Sequence, residues 1–169
     1  MSDLPAVRII KSGTICFEPS EITSNLTYQI KTEMGIGGGS SVTLIGRDRK
    51  ILVDTGFDFE WMDTPENNIG NADNLSMALK SSSISPDEID MVFITHWHRD
   101  HFGNLEIFKK ATKLASKSTV EKFYLTAFKG VSDGEEIVEG VRVIFTPGHT
   151  IDHASIIVDT KTGDLNEGS

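Results

Sequence analysis

Three of the chain's five histidines fall within six residues of Thr95-His96-Trp97-His98-Arg99-Asp100-His101. This stretch follows directly on the apolar run Met91-Val92-Phe93-Ile94. Neutral imidazole suits Zn, Fe, Ni and Cu, and a carboxylate adds an oxygen ligand, so His96, His98, Asp100 and His101 can each hold a transition metal. If Met91 to Thr95 is a buried strand, His96 and His98 lie two apart in extended backbone. They then project to one side while Trp97 points away. Asp100 and His101 come round a tight turn. Such a loop can give two ligands to one metal and two to a neighbour, as a two-metal hydrolytic site requires.

The elements that must position these residues can be read around them. Val141 to Phe145 reads as a strand paired across Glu139-Gly140 with Glu136-Ile137-Val138, and it delivers Thr146-Pro147-Gly148-His149-Thr150. A histidine just past a buried strand is where open α/β sheets place their sites. Ser41 to Ile45 and Lys50 to Asp54, joined by Gly46 to Arg49, form a hairpin whose last residue, Asp54, reads either as a turn residue or as a carboxylate that accepts a hydrogen bond from a ligand imidazole. Upstream, Val7 to Ile10, Thr14 to Phe17 and Asn25 to Ile30 read as short strands. The glycines at 35, 37, 38 and 39 read as a turn between strands, because no Gly-Lys-Ser/Thr follows to make a phosphate cradle. Phe57 to Gly70 reads as a loop in which Phe57, Phe59 and Trp61 either pin the segment or contact substrate. Helical spacing runs from Asn71 to Ser81, a helix-start turn occupies Ser85 to Glu88, and Leu105 to Lys110 suggests a short helix entered through Phe102-Gly103-Asn104. Ala115 to Thr126 fits either helix or strand. Ala154 to Thr160 is the last clear strand.

Length and composition bound the classes. A chain of 169 residues, 38% hydrophobic and 24% charged, suits one globular domain spanning 1–169. No apolar run approaches the roughly 18 residues of a membrane-spanning helix. The N-terminus lacks the basic and apolar regions of a signal peptide, so the expected location is cytoplasmic. Cys16 lies in an apolar patch and reads as a small core residue. With 16 basic against 25 acidic residues the net charge is −9, which weighs against phosphate-backbone partners. The lysines at 109, 110, 113, 117 and 122 read as a solvated face. A small-molecule substrate is the expected partner, and homo-oligomerisation stays open.

The strand ending Ile51-Leu52-Val53-Asp54-Thr55-Gly56, the H-x-H-x-D-H run and Thr146-Pro147-Gly148-His149-Thr150 together resemble the metallo-β-lactamase superfamily, in the family's order and across roughly residues 25 to 160. The resemblance implies a four-layer α/β/β/α sandwich with metals at one edge between two sheets. It implies that His96, His98 and His149 ligate a first metal, that Asp100 and His101 serve a second, and that Asp100 orients a metal-activated water. His153 matches a histidine that is usually not a ligand. Zinc is the expected cofactor, as one or two ions, with iron or manganese as substitutes. The family also supplies a bridging aspartate some twenty to twenty-five residues after His149 and a further histidine; His149 is followed by only twenty residues here. The chain therefore reads as about four fifths of the usual domain, incomplete at its C-terminus. The implied activity is hydrolysis of a small ester, thioester or lactone. The alternatives are a phosphodiesterase or ribonuclease of the same fold, an iron-binding oxidoreductase, and a catalytically silent, truncated metal-binding relative.

Overall fold

Apolar residues run almost unbroken through the central strands, which demands cover on both faces. The computed structural model describes residues 4–15, 38–46, 48–58 and 65–160. Cys16, the segment 25–30, Phe59 and Trp61 lie outside the described residues. The strands are β1 (Ala6–Lys11), β2 (Thr14–Ile15), β3 (Gly38–Gly39), β4 (Val42–Gly46), β5 (Lys50–Val53), β6 (Met91–Ile94), β7 (Thr112–Ser116), β8 (Phe128–Val131), β9 (Glu136–Val138), β10 (Val141–Phe145) and β11 (Ala154–Val158). The order β1-β4-β5-β6-β7-β8 makes a six-stranded mixed sheet, antiparallel from β1 to β5 and parallel from β5 to β8. A second, antiparallel sheet runs β11-β10-β9, and β2 pairs with β3.

In β6, Val92 and Ile94 pack toward Leu75 and Leu79 of helix α1 (Pro65–Ser81), whereas Phe93 packs toward Leu114, Val131, Val143 and Ala154 between the two sheets. Ile45, Ile51 and Val141 extend that inter-sheet core. A strand buried on both faces reads as a continuous apolar run, which is why Met91 to Ile94 shows no polar alternation. Each fully buried Phe, Leu or Ile contributes about 1.5–3 kcal/mol. The layers helix, sheet, sheet are thus present among the described residues, in agreement with an α/β sandwich.

Several local expectations are corrected. Helix α1 starts at Pro65, not Asn71, so the end of the expected loop is helical. Proline is pre-set for a first helical turn, and the interior Gly70 and exposed Ile69 hid the periodicity. The ambiguous 115–126 stretch is both things in turn: β7 ends at Ser116, whose hydroxyl accepts from Thr119 N and caps helix α3 (Lys117–Lys122). Gly38 and Gly39, expected in a turn, pair with β2 as strand β3. The turn at Asp100 is a helical turn, α2 (Arg99–Phe102), followed by a 3₁₀ turn at Leu105–Ile107.

Phe57 is 2% exposed, so it pins its segment from within and does not face a substrate. A Cβ added at Gly103 would sit 2.5 Å from the Phe57 ring. Only glycine therefore lets α2 close onto Phe57. The substitution Gly103→Ala is expected to lower stability by about 1–3 kcal/mol through overpacking. Thermal unfolding checks this, and Phe57→Leu in the same chain should recover part of the loss.

Candidate metal centre

Three strand ends meet at one edge of the sandwich. β6 leads into Thr95 to His98, β5 into Asp54 to Phe57, and β10 into the loop 146–153. Helix α2 is seated on the β5 exit by backbone and hydroxyl bonds. Thr55 N and Oγ1 donate to His101 O at 2.7 and 2.8 Å, and Phe57 N donates to Asp100 O at 2.8 Å. Ser40 Oγ donates to Asp100 O at 2.9 Å, and the buried Asn104 donates Nδ2 to Thr55 O at 2.9 Å. All but the Asn104 bond take up carbonyls of a helix of only one turn.

His96, 2% exposed, is surrounded by imidazole. Its ring centroid lies 4.6 Å from His98, 4.0 Å from His101, 4.9 Å from His149 and 5.0 Å from His153. Trp97 points the other way and stacks on Phe102 at 4.1 Å. His96 Nε2 lies 3.1 Å from His98 Nδ1, and His149 Nε2 lies 3.0 Å from the same atom. One ring nitrogen carries either one proton or one in-plane lone pair, so His98 Nδ1 cannot complete good hydrogen bonds to both neighbours. Nitrogens around a tetrahedral zinc, at about 2.0–2.1 Å from the ion, sit roughly 3.3 Å apart. The donor set of His96, His98 and His149 fits such an ion, with all three donor atoms within 4.8 Å of one another.

The tautomers follow from the outer contacts. Thr95 Oγ1 donates to Asp54 Oδ2 at 3.0 Å and lies 3.1 Å from His96 Nδ1, from which it can accept. That leaves the His96 Nε2 lone pair facing the cluster. Burial, then the charges of the other four histidines, push His96 down to about 2, so it stays neutral. Burial and His149 lower His98 as well.

The second pair differs in character. His101 Nδ1 donates to Asp54 Oδ2 at 2.7 Å, and His101 Nε2 lies 3.3 Å from Asp100 Oδ2. Burial opposes a charge on His101, but hydrogen bonds with Asp100 and Asp54 outweigh it and raise the ring to about 9. Two carboxylates thus flank one imidazole and favour a positive charge there. Asp54 reaches this position with φ of 60°, a left-handed conformation that aspartate tolerates better than most residues. Its carboxylate also accepts from Thr95 N at 2.9 Å, so it braces both the His96 and the His101 segments.

His153 packs beside His96, but its Nδ1 faces Thr146 Oγ1 at 2.8 Å and burial lowers its pKa. Sequence reasoning missed Thr95, Thr55, Ser40 and Asn104. A hydroxyl or amide beside each ligand segment was the only signal.

Residues 35–165 match the metallo-β-lactamase superfamily. The chain is similar to a β-lactamase-like protein 2 homolog of Drosophila melanogaster, 34% identical over all of this chain and 58% of the relative. It is also similar to an atrochrysone carboxyl ACP thioesterase of Aspergillus fumigatus, 34% identical over 78% of this chain and 31% of that protein. Among solved structures, a quorum-quenching N-acyl homoserine lactone lactonase superposes with a TM-score of 0.64 at 20% identity, covering 94% of this chain and 70% of that one. The chain spans about half or less of the length of the first curated relatives it matches, at 47%, 31% and 46%. By its match over most of its length, this chain belongs to the metallo-β-lactamase superfamily.

Proposed function

We propose that the protein is a metal-dependent hydrolase of small esters, thioesters or lactones, with His96, His98 and His149 holding one metal and Asp100 and His101 serving a second. The observation that carries this reading is the convergence of three imidazole nitrogens at 3.0–3.1 Å beside a carboxylate-flanked fourth ring. A divalent metal, zinc in this reading, supplies Lewis acidity to the substrate carbonyl and to the attacking water.

The chain's own residues do the rest. His149 is exposed, so the cluster opens toward solvent on the side of loop 146–153. Asp100 is positioned at the edge of the cluster to orient the attacking water and take its proton. Asp54 holds His101 by its Nδ1 and keeps Nε2 turned toward Asp100. Net charge of −9 supports a small substrate over a polyanion. The thioesterase and lactonase among the similar proteins support an acyl centre as the target.

The test uses the zinc-loaded chain with p-nitrophenyl acetate, an acyl thioester and an N-acyl homoserine lactone, and with bis(p-nitrophenyl) phosphate for contrast. Turnover of at least one acyl substrate is expected, exceeding that of the phosphodiester. Losing a partner that merely orients a ligand costs about 10–100-fold, so His98→Ala should cost at least ~10²-fold. Unchanged hydrolysis by His98→Ala would sink the assignment. Zinc should also raise Tm. At a hundredfold excess over Kd the gain is about 2.7 kcal/mol, and His96→Ala should abolish it in a calorimetric scan with and without chelator.

A further inference from the structure

His149 is the one member of the nitrogen triad that comes from the smaller sheet, and it is exposed in the loop joining β10 to β11. His96 and His98 belong to the larger sheet. The triad's geometry therefore depends on whatever fixes loop 146–153 against β6 and β7. Within the loop, Thr146 N donates to His153 O at 2.9 Å and Gly148 N to Thr150 O at 3.1 Å. These bonds shape the loop without locating it.

Location comes from Asp152. Its side chain is 2% exposed. Lys122 Nζ donates to Oδ1 at 2.9 Å, and Thr119 Oγ1 lies 2.9 Å from Oδ2. The Asp152 carbonyl accepts from Ser116 Oγ at 3.0 Å, with Thr119 Oγ1 at 3.2 Å. Ser116 is the last residue of β7, and its hydroxyl also accepts from Thr119 N to start α3. One residue of the loop is thus gripped at both its carboxylate and its carbonyl by the junction between β7 and α3. A further anchor, the bond from Ala154 N to Thr95 O at 2.9 Å, lies beyond His153 at the start of β11. Burial opposes the Asp152 charge, but Lys122 and Thr119 more than offset it and hold the carboxyl below its ordinary range. A solvent-facing turn needs no buried carboxylate, whereas directional bonds from three side chains fix a position.

We propose that Asp152, gripped by Ser116, Thr119 and Lys122, is a positioning residue that sets where His149 meets His96 and His98, and so sets the triad's affinity for a divalent cation. The inference rests on the reading of the triad as a metal site.

The experiment titrates Co²⁺ into the chelator-stripped chain, followed by visible d–d absorption, with Zn²⁺ competition to extract affinity. Asp152→Ala, Asp152→Asn, Thr119→Val and His149→Ala are compared with wild type, alongside thermal unfolding of each metal-free chain. Asp152→Ala is expected to weaken Co²⁺ binding about 10–100-fold and to alter the d–d bands, with Asp152→Asn between it and wild type. Thr119→Val removes one hydroxyl but leaves Asp152 paired with Lys122, so it should fold and still weaken binding measurably. A metal-free chain that is destabilised while its Co²⁺ affinity and spectrum match wild type would show a merely structural role and overturn the proposal. If Asp152→Ala does not fold, Thr119→Val alone decides, and an unchanged affinity and spectrum in that variant overturns it. Equal Co²⁺ binding by wild type and His149→Ala is a different result, which removes the triad reading itself and the positioning role with it.

Discussion

Five imidazoles crowded at one sheet edge are the constraint on which this architecture depends. His96 has four ring neighbours between 4.0 and 5.0 Å. Like rings at that spacing cannot all charge, so the buried His96 is held neutral and its lone pair is left facing the cluster. The crowding is tolerable because an anionic counterpart lies beside it. Asp54 and Asp100 flank His101, the one ring driven toward its charged form. The edge thus separates into a cluster of imidazole nitrogens and a carboxylate-bounded ring beside it. A protein with no cation chemistry would gain nothing from that arrangement and would bear its desolvation cost.

Holding such an edge requires the two sheets to keep register. The larger sheet contributes two of its strand ends, braced against each other through Asp54, Thr55, Thr95 and Asn104. Phe57 and Gly103 let the helical turn that carries Asp100 and His101 close down onto the β5 exit, since a methyl at 103 would meet the ring. The smaller sheet contributes His149, and it is docked through Val143 and Ala154 against Phe93, Leu114 and Val131. Apolar packing brings the sheets together without specifying a position to a few tenths of an ångström. Directional bonds at Asp152 and Thr95 do that.

Membership of the metallo-β-lactamase superfamily fits this division of labour, because a fold that builds its site from strand ends can change substrate through loops while keeping the edge.

Much of this was legible in residue order. The H-x-H-x-D-H spacing, with an apolar run before it, defined four ligand-type residues, and Asp54 and His149 stood out because each lies at or just past the end of a strand that reads as buried. Those features are local, and local geometry follows from local sequence. The opposing directions of Trp97 and the His96–His98 pair likewise follow from backbone alternation. What the tertiary structure decided is everything that depends on packing between distant segments. Phe57 could be read either as pinning its segment or as meeting a substrate, and it is core, because the space beneath it is left by a glycine 46 positions away. His153 and His149 are four residues apart in one loop, yet only His149 presents a nitrogen to His98, because the Thr146 hydroxyl occupies His153. Asp152 carried no signal in the sequence and is a buried anchor, because its partners Ser116, Thr119 and Lys122 lie 36, 33 and 30 residues away. Sequence spacing sets which way a side chain leaves its own strand, but only the meeting of two sheets sets what it reaches.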